Sequence, residues 1–172
     1  MYYMLNKPQG VVSATQDNTA GTVTELLAAE GRKDLFPVGR LDKDTEGLLL
    51  LTNDGELAHR LLSPKKHVDK TYLVTVAHSL SEEDIRRLEQ GVDIGEDRIT
   101  LPAKVAVQSE RMIHLTIQEG KYHQVKRMLQ AVDNQVTALK RIRFGKIILD
   151  EGLAPGAYRP LTTQEEKELH ES

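Results

Sequence analysis

Cysteine is absent from the 172-residue chain. This absence excludes a disulfide framework, thiolate metal ligands and a cysteine nucleophile, and it fits a reducing compartment. The six histidines do not show the spacing of metal ligands, so we expect no metal site. Long apolar runs are also missing: no segment is long enough to cross a bilayer, and the N-terminus lacks the apolar core of a signal peptide. We therefore expect a cytoplasmic protein that does not associate with membranes.

Charges of both signs are present but unevenly distributed. The whole chain has a net charge of -3, yet between Lys121 and Lys146 there are seven basic residues and one acidic residue. Acidic residues collect instead between Ser81 and Glu89 and near the C-terminus. A basic segment in an acidic chain favours binding to a polyanion such as a nucleic-acid backbone. A solvated surface without a partner is the alternative.

The pattern of apolar residues predicts interleaved strands and helices. No regular alternation of strand and helix is present, so the predicted fold class is α+β, with a mixed, largely antiparallel central sheet and flanking helices. We expect a single domain over residues 1–172, and a division of this domain into two lobes would fall near residues 63–70. The predicted strands are Tyr2 to Leu5, Gly47 to Thr52, Lys70 to Val76, Ala103 to Gln108, Met112 to Gln118 and Gln135 to Phe144. The predicted helices are Thr22 to Glu30, Glu56 to Leu62, Ser81 to Gly91 and Tyr122 to Val132.

The most informative segment is a polar loop that leads into four consecutive leucines. Asp42 lies in this loop between Gly39 and Gly47, and Leu48 to Leu51 predict a buried strand that anchors it. Loops fixed by a rigid strand are frequent positions for catalytic groups, because the strand supplies position and the loop supplies access. Asp42 is therefore a candidate for catalysis.

Two other interpretations of this loop remain open. Asp42, Asp44 and Glu46 match the first positions of a calcium-binding loop, but Asn53 stands where that loop requires a bidentate glutamate. Asp42 can also simply order the turn, which is the commonest role of an isolated loop aspartate.

Two further segments contain candidate binding residues. Tyr72 lies on a predicted strand, where a tyrosine usually packs in the core; beside a nucleotide it can stack on a base instead. Residues 119–128 place several cations and His123 at the start of a predicted helix. Positive charge there opposes the helix dipole, so a phosphate or carboxylate partner is expected.

Five segments of the chain closely resemble segments that follow one another in the same order in the RNA pseudouridine synthases. The resemblance spans nearly the whole sequence and is greatest to the branch that modifies bacterial ribosomal RNA. Members of this branch carry a small RNA-binding domain ahead of the catalytic one, so we expect this chain to be a catalytic domain without it. The matching segments are Lys7-Pro8-x-Gly10, GRLDKDTEGLLLLTNDG at 39–55, KTYLV at 70–74, EGKYHQVKRM at 119–128 and Arg159-Pro160-Leu161-Thr162.

The resemblance implies roles for individual residues. Asp42 matches the essential aspartate, Tyr72 the tyrosine that packs on the target base, and Lys126 the basic residue that pairs with the aspartate. Arg40 matches a residue that takes the place of the extruded base. With the basic segment, the motifs predict an RNA-binding set of Arg40, Lys121, His123, Gln124, Arg127, Lys140, Arg141 and Arg143.

The implied reaction converts uridine to pseudouridine, an isomerisation that requires no redox cofactor, metal or ATP. In it, Asp42 acts either as a nucleophile at the ribose or as a base that removes a 2′ proton. The expected substrate is small-subunit (16S) ribosomal RNA or a pre-ribosomal particle, with uridine 516 as the target, and the chain is expected to act as a monomer. The alternatives are a synthase that acts on large-subunit (23S) RNA and a catalytically inactive RNA-binding or ribosome-assembly module.

Overall fold

The computed structural model describes residues 1–11, 13, 22, 34–63 and 65–172. The chain forms two compact units, one made of residues 1–68 and 141–172 and the other of residues 69–140. The chain first passes from one unit to the other between Val68 and Asp69, inside the segment 63–70. The helix predicted for residues 22–30 lies outside the described residues except for Thr22.

The first unit is built around strand β3 (Glu46–Thr52), which contains the four leucines. β1 (Tyr2–Lys7) pairs with β3 and with β9 (Tyr158–Pro160), and β2 (Phe36–Pro37) pairs with β3. The end of β7 (Val136–Phe144) pairs with β8 (Ile147–Ile148). All these pairs are antiparallel.

The leucines of β3 explain why this strand is central. Leu48, Leu49, Leu50 and Leu51 are all buried, so both faces of the strand are covered, which a continuous apolar run requires. Leu48 and Leu50 pack in a core cluster with Met4 and Phe144. The loop that precedes β3 is therefore attached to one of the most buried strands of the unit.

Two helices complete the first unit, and each begins at a capping side chain. α1 (Gly55–Leu62) begins after Asp54, whose carboxylate accepts a hydrogen bond from Leu57 N. α4 (Thr163–Glu171) begins with a capping box formed by Thr162 and Glu165. Arg159 adds two hydrogen bonds to Glu165 and one to Asp150, which ties β9 to the start of α4.

The second unit contains β4 (Lys70–Val76), α2 (Glu82–Gln90), β5 (Lys104–Ser109), β6 (Met112–Ile117), α3 (Gln124–Ala131) and the first part of β7. β6 pairs antiparallel with both β4 and β5. Ser81 and Asp84 form a capping box at the start of α2, as the sequence predicts. The core includes Val74, Leu88, Leu115 and Met128.

The predicted α+β fold class with a largely antiparallel sheet is confirmed. β2, β8, β9 and α4 were not predicted, and α3 begins at Gln124 rather than at Tyr122. Among the residues that the structure describes, no helix is long and apolar enough to cross a membrane.

Candidate active site

A buried lysine holds the loop that carries Asp42. Lys7 lies at the end of β1 and is completely shielded from solvent. Its ammonium donates hydrogen bonds to three main-chain oxygens, those of Thr45 (2.7 Å), Pro8 (3.0 Å) and Lys43 (3.2 Å). An ammonium has three donors, and here each has an acceptor. Lys7 therefore joins the end of β1 to the main chain on the C-terminal side of Asp42.

Other hydrogen bonds fix the main chain close to Asp42. The Ser13 hydroxyl donates to Leu41 O (2.9 Å) and accepts from Leu41 N (3.0 Å). Gly10 N donates to Lys43 O, and Thr45 N closes a turn on Asp42 O at 2.9 Å. Leu41 and Thr45 are buried and Asp42 is half-buried. The carboxylate thus projects from a short segment whose main chain is fixed on both sides, which is the support that a catalytic group needs.

The environment of Lys7 sets its protonation. Burial lowers the pKa of Lys7 from 10.5 to about 8, while the nearby carboxylates of Asp44, Asp42 and Glu46 oppose this change. At neutral pH the lysine is therefore still an ammonium. The loop lies against a buried positive charge that donates to its main chain and attracts its carboxylates.

Gly47 allows β7 to approach β3 immediately after this loop. Its φ is +109°, and a Cβ there would lie 2.2 Å from Arg141 O and 2.7 Å from Arg141 N. Arg141 is itself buried, and its Nε donates to Leu48 O at 2.9 Å. Its guanidinium lies 5.2 Å from the centre of the Phe144 ring, and its Nη2 is buried without an acceptor among the described residues. These contacts of Arg141 all lie inside the first unit.

The second unit holds the two other predicted catalytic residues. Tyr72 lies in the middle of β4, opposite Leu115 of β6, and is half-buried against the core of this unit. Lys126 lies on α3 and is half-buried, whereas Val125, Met128 and Leu129 form the buried face of the helix. Asp42 belongs to the first unit. The pairing of Asp42 with Lys126 implied by the resemblance stays a prediction.

Two of the predicted RNA-binding residues make structural contacts at the start of α3. Gln124 is buried; its side chain accepts from Lys121 N (3.0 Å) and donates to Glu119 Oε1 (3.1 Å). Arg127 donates to the main-chain oxygens of Ile94 and Tyr122 and forms an ion pair with Glu96 at 2.8 Å. These contacts give both side chains a role in shaping the loop, and their contact with RNA stays a prediction.

The remaining predicted RNA-binding residues are divided between the units. In the first unit Arg40 and Arg143 are exposed, whereas Arg141 is buried, with its Nε bonded to Leu48 O. In the second unit Lys121 is exposed, and His123 and Lys140 are half-buried. Their proposed contacts with RNA likewise stay predictions.

The sequence motifs include Lys7 and Gly47 but do not reveal their structural roles, and Ser13 lies outside the motifs. The position of Lys7 gave an indication of its burial. It directly continues a predicted buried strand, where a lysine with a purely solvent-exposed role is unusual. Ser13 carried no comparable signal. Across the described residues, no group of three histidine or acidic side chains has the arrangement of a metal site.

Comparison with known proteins assigns the chain to a family of enzymes. The model of the RNA pseudouridylate synthase family matches residues 1–131. This chain belongs to that family, and the resemblance seen in the sequence is confirmed.

Individual proteins give the same result. The chain is 57% identical, over 99% of its length and 72% of the relative, to a protein of Bacillus subtilis named uncharacterized RNA pseudouridine synthase YtzG. It is 50% identical, over 95% of its length and 70% of the relative, to the ribosomal small subunit pseudouridine synthase A of Yersinia pestis. A crystal structure of a pseudouridylate synthase matches 98% of this chain and 73% of its own, at a TM-score of 0.91 and 45% identity.

Proposed function

We propose that this protein isomerises a uridine to pseudouridine in small-subunit ribosomal RNA, with Asp42 as the catalytic carboxylate. The observation that carries the proposal is the position of Asp42 in a loop fixed by Lys7 and Ser13, in a chain that is 50% identical to a small-subunit enzyme. Uridine 516 of the 16S RNA is the proposed target.

The reaction breaks the bond between ribose C1′ and N1 of uracil and forms a bond between C1′ and C5. N1 gains a proton and C5 loses one to solvent, so no electrons are exchanged with a cofactor. Asp42 either attacks the sugar or removes its 2′ proton, and a half-buried, firmly held carboxylate is suited to both steps. The ring of Tyr72 is the proposed support for the detached uracil, and Lys126 the proposed partner of Asp42.

The target base must leave the RNA stack before it can react. Extrusion costs a few kcal/mol, roughly, and costs least in loops and irregular RNA. Arg40, which is exposed two residues before Asp42, is the proposed side chain that fills the vacated position. We also propose that the protein acts as a monomer in the cytoplasm, on ribosomal RNA or on a pre-ribosomal particle.

Tritium release tests the proposal directly. Small-subunit RNA without modifications, labelled with tritium at uridine C5, should release label to water in the presence of the protein. Asp42→Asn should abolish release, because an amide can neither attack the sugar nor accept the proton in the same way. Glu56→Gln is the control: it removes an exposed carboxylate on α1 of the same unit, and we expect release to continue.

Three outcomes would contradict the proposal in different parts. Full release by Asp42→Asn would remove Asp42 from the mechanism. Release from labelled large-subunit RNA, and none from small-subunit RNA, would reassign the substrate. RNA binding without release from either RNA would indicate a binding module with the fold of the enzymes.

A further inference from the structure

Tyr122 is the one tyrosine or phenylalanine of the chain that is mainly exposed to solvent. The sequence contains five tyrosines and two phenylalanines, all of them among the described residues. Tyr122 is 66% exposed, whereas the other six are half-buried or buried. An aromatic ring gains much from burial, so a ring left in solvent on a well-packed loop invites a functional explanation.

The main chain around Tyr122 is held firmly. Gln124 accepts a hydrogen bond from Lys121 N, and Gln124 N donates to Lys121 O, each at 3.0 Å. Arg127 donates to Tyr122 O at 2.6 Å and is itself anchored to Ile94 O at 2.9 Å. The exposed ring therefore projects from a fixed support, which reduces the entropy lost when a ligand binds.

His123 gives the ring its orientation. His123 has a φ of +49°, in the left-handed region that residues other than glycine seldom adopt. Its ring centre lies 3.8 Å from that of Tyr122, with the planes tilted by 43°. The histidine thus backs one face of the tyrosine, while the high exposure of Tyr122 leaves ring surface for a ligand. Strained positions of this kind are concentrated at functional sites.

A cation beside the ring favours a polyanion. Lys121 is exposed and immediately precedes Tyr122. A cation beside an exposed aromatic ring is the arrangement that binds single-stranded nucleic acid: the ring stacks on a base and the cation contacts the adjoining phosphate.

We propose that Tyr122, backed by His123, is a stacking platform for an unpaired base of the RNA that flanks the target uridine, with Lys121 on the neighbouring phosphate. This inference rests on the proposed function for its RNA substrate, but it concerns a base that is not modified. Stacking accepts any base, so the platform contributes affinity and register without reading sequence.

Binding of oligonucleotides to the whole chain tests the platform. Tyr122→Ala should weaken binding of a single-stranded small-subunit RNA fragment by about tenfold, within the range for one base stacked on an aromatic ring. Tyr122→Phe should bind like the wild type, because the ring is retained. Ile148→Ala is the matched control: it truncates a side chain that is 62% exposed in the first unit, and affinity should not change.

Two further measurements separate stacking from a loss of structure. The wild type and Tyr122→Ala should bind equally to an oligonucleotide of the same length that carries abasic sites, since there is no base to stack. The slope of affinity against salt concentration should be the same for both proteins, because the tyrosine contacts no phosphate. The chain has no tryptophan, so Tyr122→Trp also supplies a single indole whose fluorescence should fall when RNA stacks on it.

Defined outcomes overturn the proposal. Unchanged RNA affinity in Tyr122→Ala, or an equal loss on the abasic strand, would exclude stacking. Unchanged RNA affinity together with weaker binding to small-subunit particles would assign the ring to a protein partner instead. If the wild type releases tritium but RNA binding does not depend on Tyr122, only the stacking platform is refuted. If RNA binding depends on Tyr122 but no tritium is released, only the proposed isomerisation is refuted.

Discussion

The loop of Asp42 and the loop at the start of α3 are held in opposite ways. The main chain of the first is held from outside, by Lys7 and Ser13. The second is held largely by its own side chains, because Gln124 and Arg127 bond to the main chain beside them. Both loops belong to motifs that sequence alone interprets as functional. A polar side chain in such a motif can therefore hold the main chain of a site in place rather than contact the substrate or take part in the reaction.

The largest expected change in stability concerns the close contact between Gly47, at the end of the Asp42 loop, and the main chain of Arg141. Gly47→Ala should lower the free energy of unfolding by about 4 kcal/mol, because the new Cβ meets the main chain of Arg141 and the positive φ disfavours alanine. Urea denaturation measures the loss. Gly55→Ala is the control: it begins α1 and a Cβ there would meet no neighbouring atom within 4 Å, so its stability should be unchanged or slightly higher. A loss below about 1 kcal/mol for Gly47→Ala would contradict this account of the strand contact.

Removing the outside support of the Asp42 loop should have the next largest effect. Lys7→Met keeps the length of the side chain but leaves the Thr45 and Pro8 oxygens without their ammonium donor. We expect a loss of about 3 kcal/mol in stability. Tritium release should fall about a hundredfold, since small displacements of a catalytic group are expensive.

The matched variant for Lys7→Met is Lys43→Met. Lys43 lies in the same loop with an exposed side chain, so its replacement should leave stability and tritium release close to the wild type. Normal release in Lys7→Met under conditions where the protein is folded would show that Asp42 does not depend on this support.

Sequence predicted most of the elements, because their apolar residues are regularly spaced. Val125, Met128, Leu129 and Val132 recur at helical spacing in the sequence, and all four are buried. The helix α4 was not predicted, because Leu169 is its one buried residue and the helix therefore shows no apolar periodicity. Its usable signal was the pairing of Thr162 with Glu165 in a capping box.

The site was predicted less completely than the fold, for a physical reason. Asp42 could be singled out because the leucines after it had to be buried. The strand before Lys7 indicated that this lysine could be buried, but its bonds to the main chain of Lys43 and Thr45 join segments far apart in sequence and could not be predicted. The same limit applies to Gln124, whose burial follows from hydrogen bonds to Lys121 and Glu119.

The pH dependence of stability sharpens the role of Lys7. Its pKa is about 8 in the folded chain and 10.5 as an ordinary lysine, so between these values the unfolded chain binds more protons. Stability should therefore rise with pH, by about 2 kcal/mol from pH 7 to 9.5. This window ends below the range in which Tyr2 has the opposite effect, since burial and Asp54 raise the pKa of Tyr2 to about 12.

Denaturation curves at several pH values, compared with those of Lys7→Met, isolate this contribution. The variant lacks the titrating group, so its rise in stability over the same interval should be smaller by about 2 kcal/mol. Equal slopes for the two proteins would mean that Lys7 has an ordinary pKa and that its burial is less costly than its position implies.

The smallest effects compare two cations of the second loop. Arg127→Met should lower stability by about 1.5 kcal/mol, because its hydrogen bonds to Ile94 and Tyr122 are lost. Lys121→Met should leave stability unchanged, since Lys121 is exposed, but should lower the salt dependence of RNA binding by about one phosphate contact. Denaturation and binding at several salt concentrations measure the two quantities separately. If Arg127→Met changed only the salt dependence and Lys121→Met only the stability, the division between supporting and binding side chains in this loop would be reversed.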